Sequence, residues 1–304
     1  MQVTIIKTGG KITLQDQGRE QVQAYGFSPG GAADLHSMLW ANKLLNNTAS
    51  NPVFECTLGN MELEFSSSCS IAVTGAANHI EINGQIKPAW QCHTLDGPSR
   101  VTIDPPRSGI YTYIAVKGEL RANKILNSYS TVEREESGFN AGHPLNTGQT
   151  LEFIIHRKST LPYAVPYRFR PDYSENLPLR LIPGFQFSQC QQDQIQNIFD
   201  SHYTVHPNSN KMGYRLTGGK PIHIDSTILS EATPLGSVQI PPDGNPIILM
   251  KDRQTIGGYP KLGCIYQTDI FQLSQRRPGQ KVAFQLGNLS EAEEELRQLY
   301  RFLR

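Results

Sequence analysis

Much that would announce an activity is missing from this 304-residue chain. It has five cysteines, at 56, 69, 92, 190 and 264, an odd and widely spaced set without a C-x-x-C pair. That pattern excludes a disulfide framework and reads as reduced thiols in a cytoplasmic protein. Charged residues make up 18% and cancel to a net charge of +1. Such a balance excludes a basic nucleic-acid grip or a polybasic membrane patch as the main activity, and so sparse a charge argues against coiled coil and disorder. No apolar run reaches the ~18 residues of a membrane span, and MQVTIIKTGGKITLQD lacks the apolar core and cleavage site of a signal peptide. The chain therefore reads as soluble, with no membrane and no nucleic acid among its partners. There is no G-x-x-x-x-G-K-[ST] loop for ATP and no G-x-S-x-G elbow. His202 and His206 form an isolated H-x-x-x-H. The intervening Tyr203-Thr204-Val205 favours a strand, which separates the rings, so no metal is expected.

What the chain does have is glycine and proline, 26 and 20 residues, and many short β-branched or aromatic runs. Residues 2–6, 61–65, 70–74, 79–82, 100–103, 111–116 and 150–155 read as strands bounded by turn formers. Asn83-Gly84 marks a hairpin, because both residues accept the positive φ of a type I′ turn. A helix interrupts the strands at about 33–46, with Leu35, Met38, Leu39, Asn42 and Leu45 on one face. Asp34 stands where it would cap that helix.

Four prolines between 157 and 178 break any regular element, and this stretch reads as a linker. Strands resume at 179–182, 214–216, 237–240, 246–250, 263–266 and 281–286, with a helix at 189–200 that buries Ile195, Ile198 and Phe199. The tail from Ser290 to Arg304 is the strongest helix signal. Ser290 is the expected N-cap, glutamates crowd the first turns and arginines the last. The expected architecture is mainly β, in two β-rich lobes with a few short helices and a C-terminal helix. The lobes are expected at residues 1–165 and 166–304.

Three stretches carry chemistry. In 230–263 an apolar strand, Ile247–Met250, runs into Asp252, Gln254, Thr255 and then Gly257-Gly258-Tyr259-Pro260-Lys261. A Gly-Gly pair admits a ligand close to the backbone and would turn N–H groups into an anion nest beside the Lys261 charge. Asp252 and Gln254 are expected on one strand face. A tight hairpin with a satisfied Asp is the competing explanation. In 208–218, Lys211 and Arg215 lie four apart around Gly213, and an arginine fork suits a carboxylate or phosphate. A solvated surface hairpin would look the same. In 14–34, Asp16, Arg19 and Asp34 punctuate a glycine-rich loop that does not match G-x-G-x-x-G. Met250-Lys251 is half of a biotin-acceptor Met-Lys-Met and reads as an ordinary strand lysine.

These same segments resemble the carboxyltransferase-type family of allophanate hydrolase subunit 2, which includes the C-type subunit of 5-oxoprolinase, kinase-inhibitor antagonists and a segment of urea carboxylase. The resemblance runs through QDQGREQVQAYGFSPGGAADLHSMLWANKLLNN, FECTLGNMELEF, NKMGYRLTG and GSVQIPPDGNPIILMKDRQTIGGYPKLG, and so covers essentially the whole chain. Lys211 stands where the family usually has Arg, Gly118-Glu119 where it has Gly-Gly, and Gly184-Phe185 where it has Gly-Pro. The 137–149 loop also departs from its pattern.

The resemblance implies two β-rich lobes, at least the second a cyclophilin-like barrel. It implies a component of an ATP-dependent 5-oxoprolinase that converts 5-oxoproline to L-glutamate and is inactive or nearly so alone. Its partners would be a subunit-1-like protein, the B-type subunit of 5-oxoprolinase, and a third, LamB/YcsF-like subunit. ATP would act through the complex. Asp252, Lys261 and Arg215 would be catalytic, while Lys211, Gln239, Gln254, Thr255, Gly257, Gly258 and Tyr259 would bind substrate. The alternatives are a carboxyltransferase subunit that receives carboxyl-biotin, and a regulatory antagonist of a kinase inhibitor.

Overall fold

The structure, a computed structural model, describes residues 1–77, 79–155, 163–224 and 228–303. Residues 157–162 of the expected linker lie outside that set. The chain divides into two compact units, one formed by Met1–Glu20, Gly30–Tyr173 and Leu303–Arg304, the other by Gln21–Pro29 and Ser174–Phe302.

The first unit is built from two antiparallel sheets. Seven strands run in the order Glu119–Leu120, Thr150–Ile154, Gln2–Thr8, Met61–Phe65, Ser99–Ile103, His79–Ile82, Gln85–Pro88. Five more run Ile12–Gln15, Val53–Thr57, Tyr111–Val116, Cys69–Gly75, Gln91–Leu95. Met61–Phe65 alternates buried and less buried residues, as a strand with one core face must. Cys69–Gly75 is buried at every position, because the helix Leu35–Leu44 packs on this sheet. The expected hairpin forms, with Ile82 opposite Gln85 and φ of 51° and 80° at Asn83 and Gly84. Asp34 caps the helix, its carboxylate accepting from Ser37 N at 3.1 Å and Ser37 Oγ at 2.6 Å. Residues 163–173 add to this unit: Cys92 N donates to Tyr163 O at 2.9 Å and Val165 N to Trp90 O at 2.8 Å.

The second unit is a closed seven-stranded barrel, in the order Leu177–Pro183, Lys261–Ile265, Ser237–Gln239, Ile247–Leu249, Gly213–Thr217, His202–Val205, Lys281–Leu286. Parallel pairing of Leu177–Pro183 with Lys281–Leu286 closes it and leaves no free edge. Leu179, Leu181, Leu216, Val238, Ile248, Leu262 and Phe284 fill the interior. The helix Gln192–Asp200 lays Ile198 on this core, with Ile195 and Phe199 beside it, as their spacing predicts. The C-terminal helix spans Leu289–Leu303, but its cap is Asn288, two residues before the expected Ser290. Asn288 Oδ1 accepts from Ser290 N at 2.8 Å and Glu291 N at 3.3 Å, which satisfies two of the orphan donors of the first turn.

Candidate functional site

Inward residues of the barrel strands are apolar, so the polar ones are driven to the outer face. Tyr214 and Leu216 are buried in the interior, which puts Gly213, Arg215 and Thr217 outside. Register then sets a row across four strands. Arg215 lies opposite Ile247, Ile247 opposite Gln239, and Gln239 opposite Lys261, with a bulge at Val238/Gln239.

A cavity of about 560 Å³ opens on this row. Arg215, Gln239, Gln254 and Tyr259 line it, over an apolar floor of Met212, Ile247 and Leu249. Asn208, Asn210, Asn245 and His206 add a wall rich in amide groups, and Asp243 places one carboxylate on the lining. No carboxylate among the described residues pairs with the Arg215 guanidinium. Gln239 is 2% exposed and accepts from Gln254 Nε2 at 3.4 Å.

The other expected residues are held in pairs within the protein. Lys261 Nζ donates to Glu231 Oε2 and to Ala232 O at 3.1 Å. That bond from Lys261 holds the Glu231 carboxyl below the usual range, with a further donation from Gln186 Nε2 at 3.0 Å. Lys211 Nζ lies 4.0 Å from Asp252 Oδ2, and Asp252 N donates to Lys211 O at 2.8 Å. Lys251, Asp252 and Gln254 follow the strand Ile247–Leu249 in a turn and not on a continued strand, so no shared strand face arises. Buried Arg253 anchors the turn: Nε donates to Thr233 O at 2.8 Å and Nη1 to Met250 O at 3.2 Å. Burial lowers its pKa to about 10. Ser28 Oγ donates to Arg253 O at 2.7 Å.

Thr255 is engaged through its backbone, its carbonyl accepting from Thr233 N at 3.1 Å. Ile256–Gly257 pairs with Glu231–Ala232. Neither Gly257 nor Gly258 has a positive φ, so the alternating backbone of an anion nest does not form. Gly257 serves a close approach instead. A β-carbon there would stand 2.4 Å from Gln239 Nε2 and 3.1 Å from Thr233 Cγ2.

The structure thus brings Arg215, Gln239, Gln254 and Tyr259 to one cavity, and sets Lys211 with Asp252, and Lys261 with Glu231, in intramolecular pairs. Sequence reading missed Asn208, Asn210 and Asn245. The signal was present in Asn208-Ser209-Asn210, beside the lysine and arginine that drew attention instead. A second, polar cavity of about 690 Å³ lies in the first unit, lined by Lys87, Gln91, His93 and Asp96 among others. It gathers none of the expected residues. His93 there has a lowered pKa because it is buried, and its Nε2 lies 2.8 Å from Pro88 O.

Residues 25–286 match the family described as carboxyltransferase domain, subdomain A and B. The C-type subunit of 5-oxoprolinase from Escherichia coli (strain K12) is 31% identical over 290 residues, which cover 95% of this chain and 92% of that protein. Urea amidolyase of Saccharomyces cerevisiae is 26% identical over 306 residues, covering 93% of this chain but 16% of that much longer protein. In the crystal structure of Kluyveromyces lactis urea amidolyase, 20% of the chain superposes on 99% of this one with a TM-score of 0.90. At 21% identity that likeness is one of fold.

Proposed function

Because the chain belongs to the carboxyltransferase domain family, subdomains A and B, we propose that it is the C-type subunit of an ATP-dependent 5-oxoprolinase complex, hydrolysing 5-oxoproline to L-glutamate. The observation that carries the reading is the end-to-end likeness to the C-type subunit of the E. coli 5-oxoprolinase, over 92% of that protein. The cavity is chemically compatible. Arg215 offers a bidentate fork to a small carboxylate, and the surrounding amides offer donors and acceptors to a lactam.

In this reading Arg215 seats the substrate carboxylate and Tyr259 covers the ring. The Lys211–Asp252 pair stiffens the turn that carries Gln254, and Lys261, tied to Glu231, fixes the wall at Gly257. Hydrolysis of a lactam needs its oxygen activated, and ATP supplies that activation. The donors here do not fit a triphosphate: among the described lining residues Arg215 is the sole lysine or arginine, and the Gly257-Gly258 backbone forms no phosphate cradle. The proposal therefore assigns ATP to a partner, either the B-type subunit or the LamB/YcsF-like one, in a soluble cytoplasmic heteromer.

The test is co-expression of the three subunits and measurement of ATP-dependent glutamate release from 5-oxoproline, with each subunit omitted in turn. Release that requires this chain is the expected result. Release that persists without it overturns the reading. The urea amidolyase likeness supports a second reading, a carboxyltransferase acting on carboxyl-biotin. Bicarbonate- and biotin-dependent carboxylation of urea, with no glutamate release, would establish that one in its place.

A further inference from the structure

Two edge strands of the first unit contribute to the polar cavity of about 690 Å³. Gln85–Pro88 ends the seven-stranded sheet, and Gln91–Leu95 ends the five-stranded one. Side chains alternate along a strand, so Gln85 and Lys87 share a face. Both line the cavity, while Ile86 between them is exposed. The volume lies within the ~300–1,000 Å³ of small-ligand pockets.

His93 is buried in the lining contributed by the other edge strand. Its Nε2 lies 2.8 Å from Pro88 O. A carbonyl oxygen can only accept, so Nε2 carries the proton of the neutral ring and Nδ1 keeps the lone pair. Nδ1 has no partner among the described residues and is not sealed from solvent. Burial favours the neutral ring, with Lys87 acting the same way and the Pro88 carbonyl the other. The bond to Pro88 ties the ring to the residue that follows Lys87, so cation and lone pair belong to one corner of the cavity. No carboxylate among the described residues pairs with Lys87, and Asp96 is a second acceptor on the lining.

We infer that this cavity binds a small hydrophilic anion that carries its own O–H, with Lys87 taking the charge and His93 Nδ1 accepting the O–H. Hydrogen phosphate is the smallest ion to join both features on one centre. Sulfate has the same tetrahedral shape and no proton at neutral pH, so its oxygen would meet the Nδ1 lone pair and be repelled. This site lies in the other unit from the Arg215 cavity, and the inference goes beyond the proposed function.

The test uses the full chain with ¹⁵N-labelled histidine, and phosphate and sulfate as probes at neutral pH. His93→Leu and His93→Gln both remove the ring signals of His93, so their assignment does not rest on the apolar variant folding. In the free protein those signals should show a proton on Nε2 and none on Nδ1. Phosphate should move the Nδ1 signal and bind roughly 5- to 10-fold more tightly than sulfate, the worth of one neutral hydrogen bond. Lys87→Met, on an edge strand, should weaken phosphate roughly tenfold or more at an unchanged melting temperature. His93→Gln offers a donor to Pro88 O and an acceptor where Nδ1 stood, so it should keep the preference that His93→Leu erases.

A proton on Nδ1, or an Nδ1 signal that phosphate leaves unmoved, overturns the inference. So does phosphate binding that Lys87→Met does not weaken, or a preference that survives His93→Leu. Equal binding of phosphate and sulfate overturns it as well, and would mark a plain anion site in its place.

Discussion

The amide nitrogen of Gln239 and residue 257 cannot both be large. A β-carbon on Gly257 would lie 2.4 Å from Gln239 Nε2, well inside contact distance. Gly257 has an ordinary negative-φ backbone, so this glycine is required by its neighbour's side chain and not by its own torsion angles. Gly257→Ala should therefore leave the strand pairing with Glu231 intact and push the glutamine head aside. The expected stability loss is about 1 kcal/mol. Melting curves of this variant beside the wild type check it, and an unchanged midpoint would show that the glutamine head moves aside without cost.

Lys261 makes its bonds to Glu231 and Ala232 O, and so carries structure before chemistry. Lys261→Met should cost a few tenths to about 1 kcal/mol, since the Glu231 side chain is 41% exposed and solvent screens the pair. The Glu231 pKa is lowered by Lys261, so the pair stabilises the fold above the ordinary glutamate range and loses that effect as pH falls through the lowered value. Melting curves of wild type and variant should converge in acid. Turnover of the reconstituted complex should drop less than about tenfold, and a much larger loss in a well-folded variant would return Lys261 to a direct part in the reaction.

His36 accepts from Trp40 Nε1 through its Nε2 at 3.1 Å and lies 6.1 Å from the Trp90 ring. Burial lowers its pKa, although nearby Asp34 acts the other way. The folded state thus favours the neutral ring, and protonation would also break the bond from Trp40. Stability should fall as pH drops below the ordinary imidazole range and level off once the lowered folded value is passed. Urea unfolding followed by tryptophan fluorescence at neutral and mildly acid pH reads this out, and His36→Gln should flatten the dependence over that interval.

Asp34 joins helix start to sheet. Its carboxylate accepts from Ser37 N, Ser37 Oγ and Tyr173 OH, while its own N–H donates to Tyr113 OH at 2.8 Å. Asp34→Ala removes the cap and strips buried hydroxyls of their acceptor, at an expected cost of about 2–4 kcal/mol. Asp34→Asn keeps the cap and should recover about half. Denaturant midpoints of the two variants decide between this account and a helix held by packing alone.

Local chemistry was legible wherever the signal lay within a few residues. Alternating β-branched runs, the Asn83-Gly84 turn and the charge polarity of the C-terminal helix all mark elements that form, and the quoted motifs are enough to identify the family. The cap of that helix was misassigned by two residues because Asn288 and Ser290 are equally good capping types, and only the backbone geometry chooses between them. Residue types alone likewise raised Lys261, Lys211 and Arg215 together as available cations. A two-stranded pairing outside the barrel sets Glu231 opposite Gly257, which carries a carboxylate thirty positions away onto Lys261. Lys211 falls beside Asp252 by the same kind of long-range folding. Arg215 is left to face the cavity with Gln239, because strand register, a property of several distant segments at once, decides which side chains share a row. The sequence by itself determined the elements, their apolar faces and the family, since those depend on neighbours along the chain. The tertiary structure alone decided which charges are matched within the protein and which donors remain for a ligand, since those depend on neighbours in space.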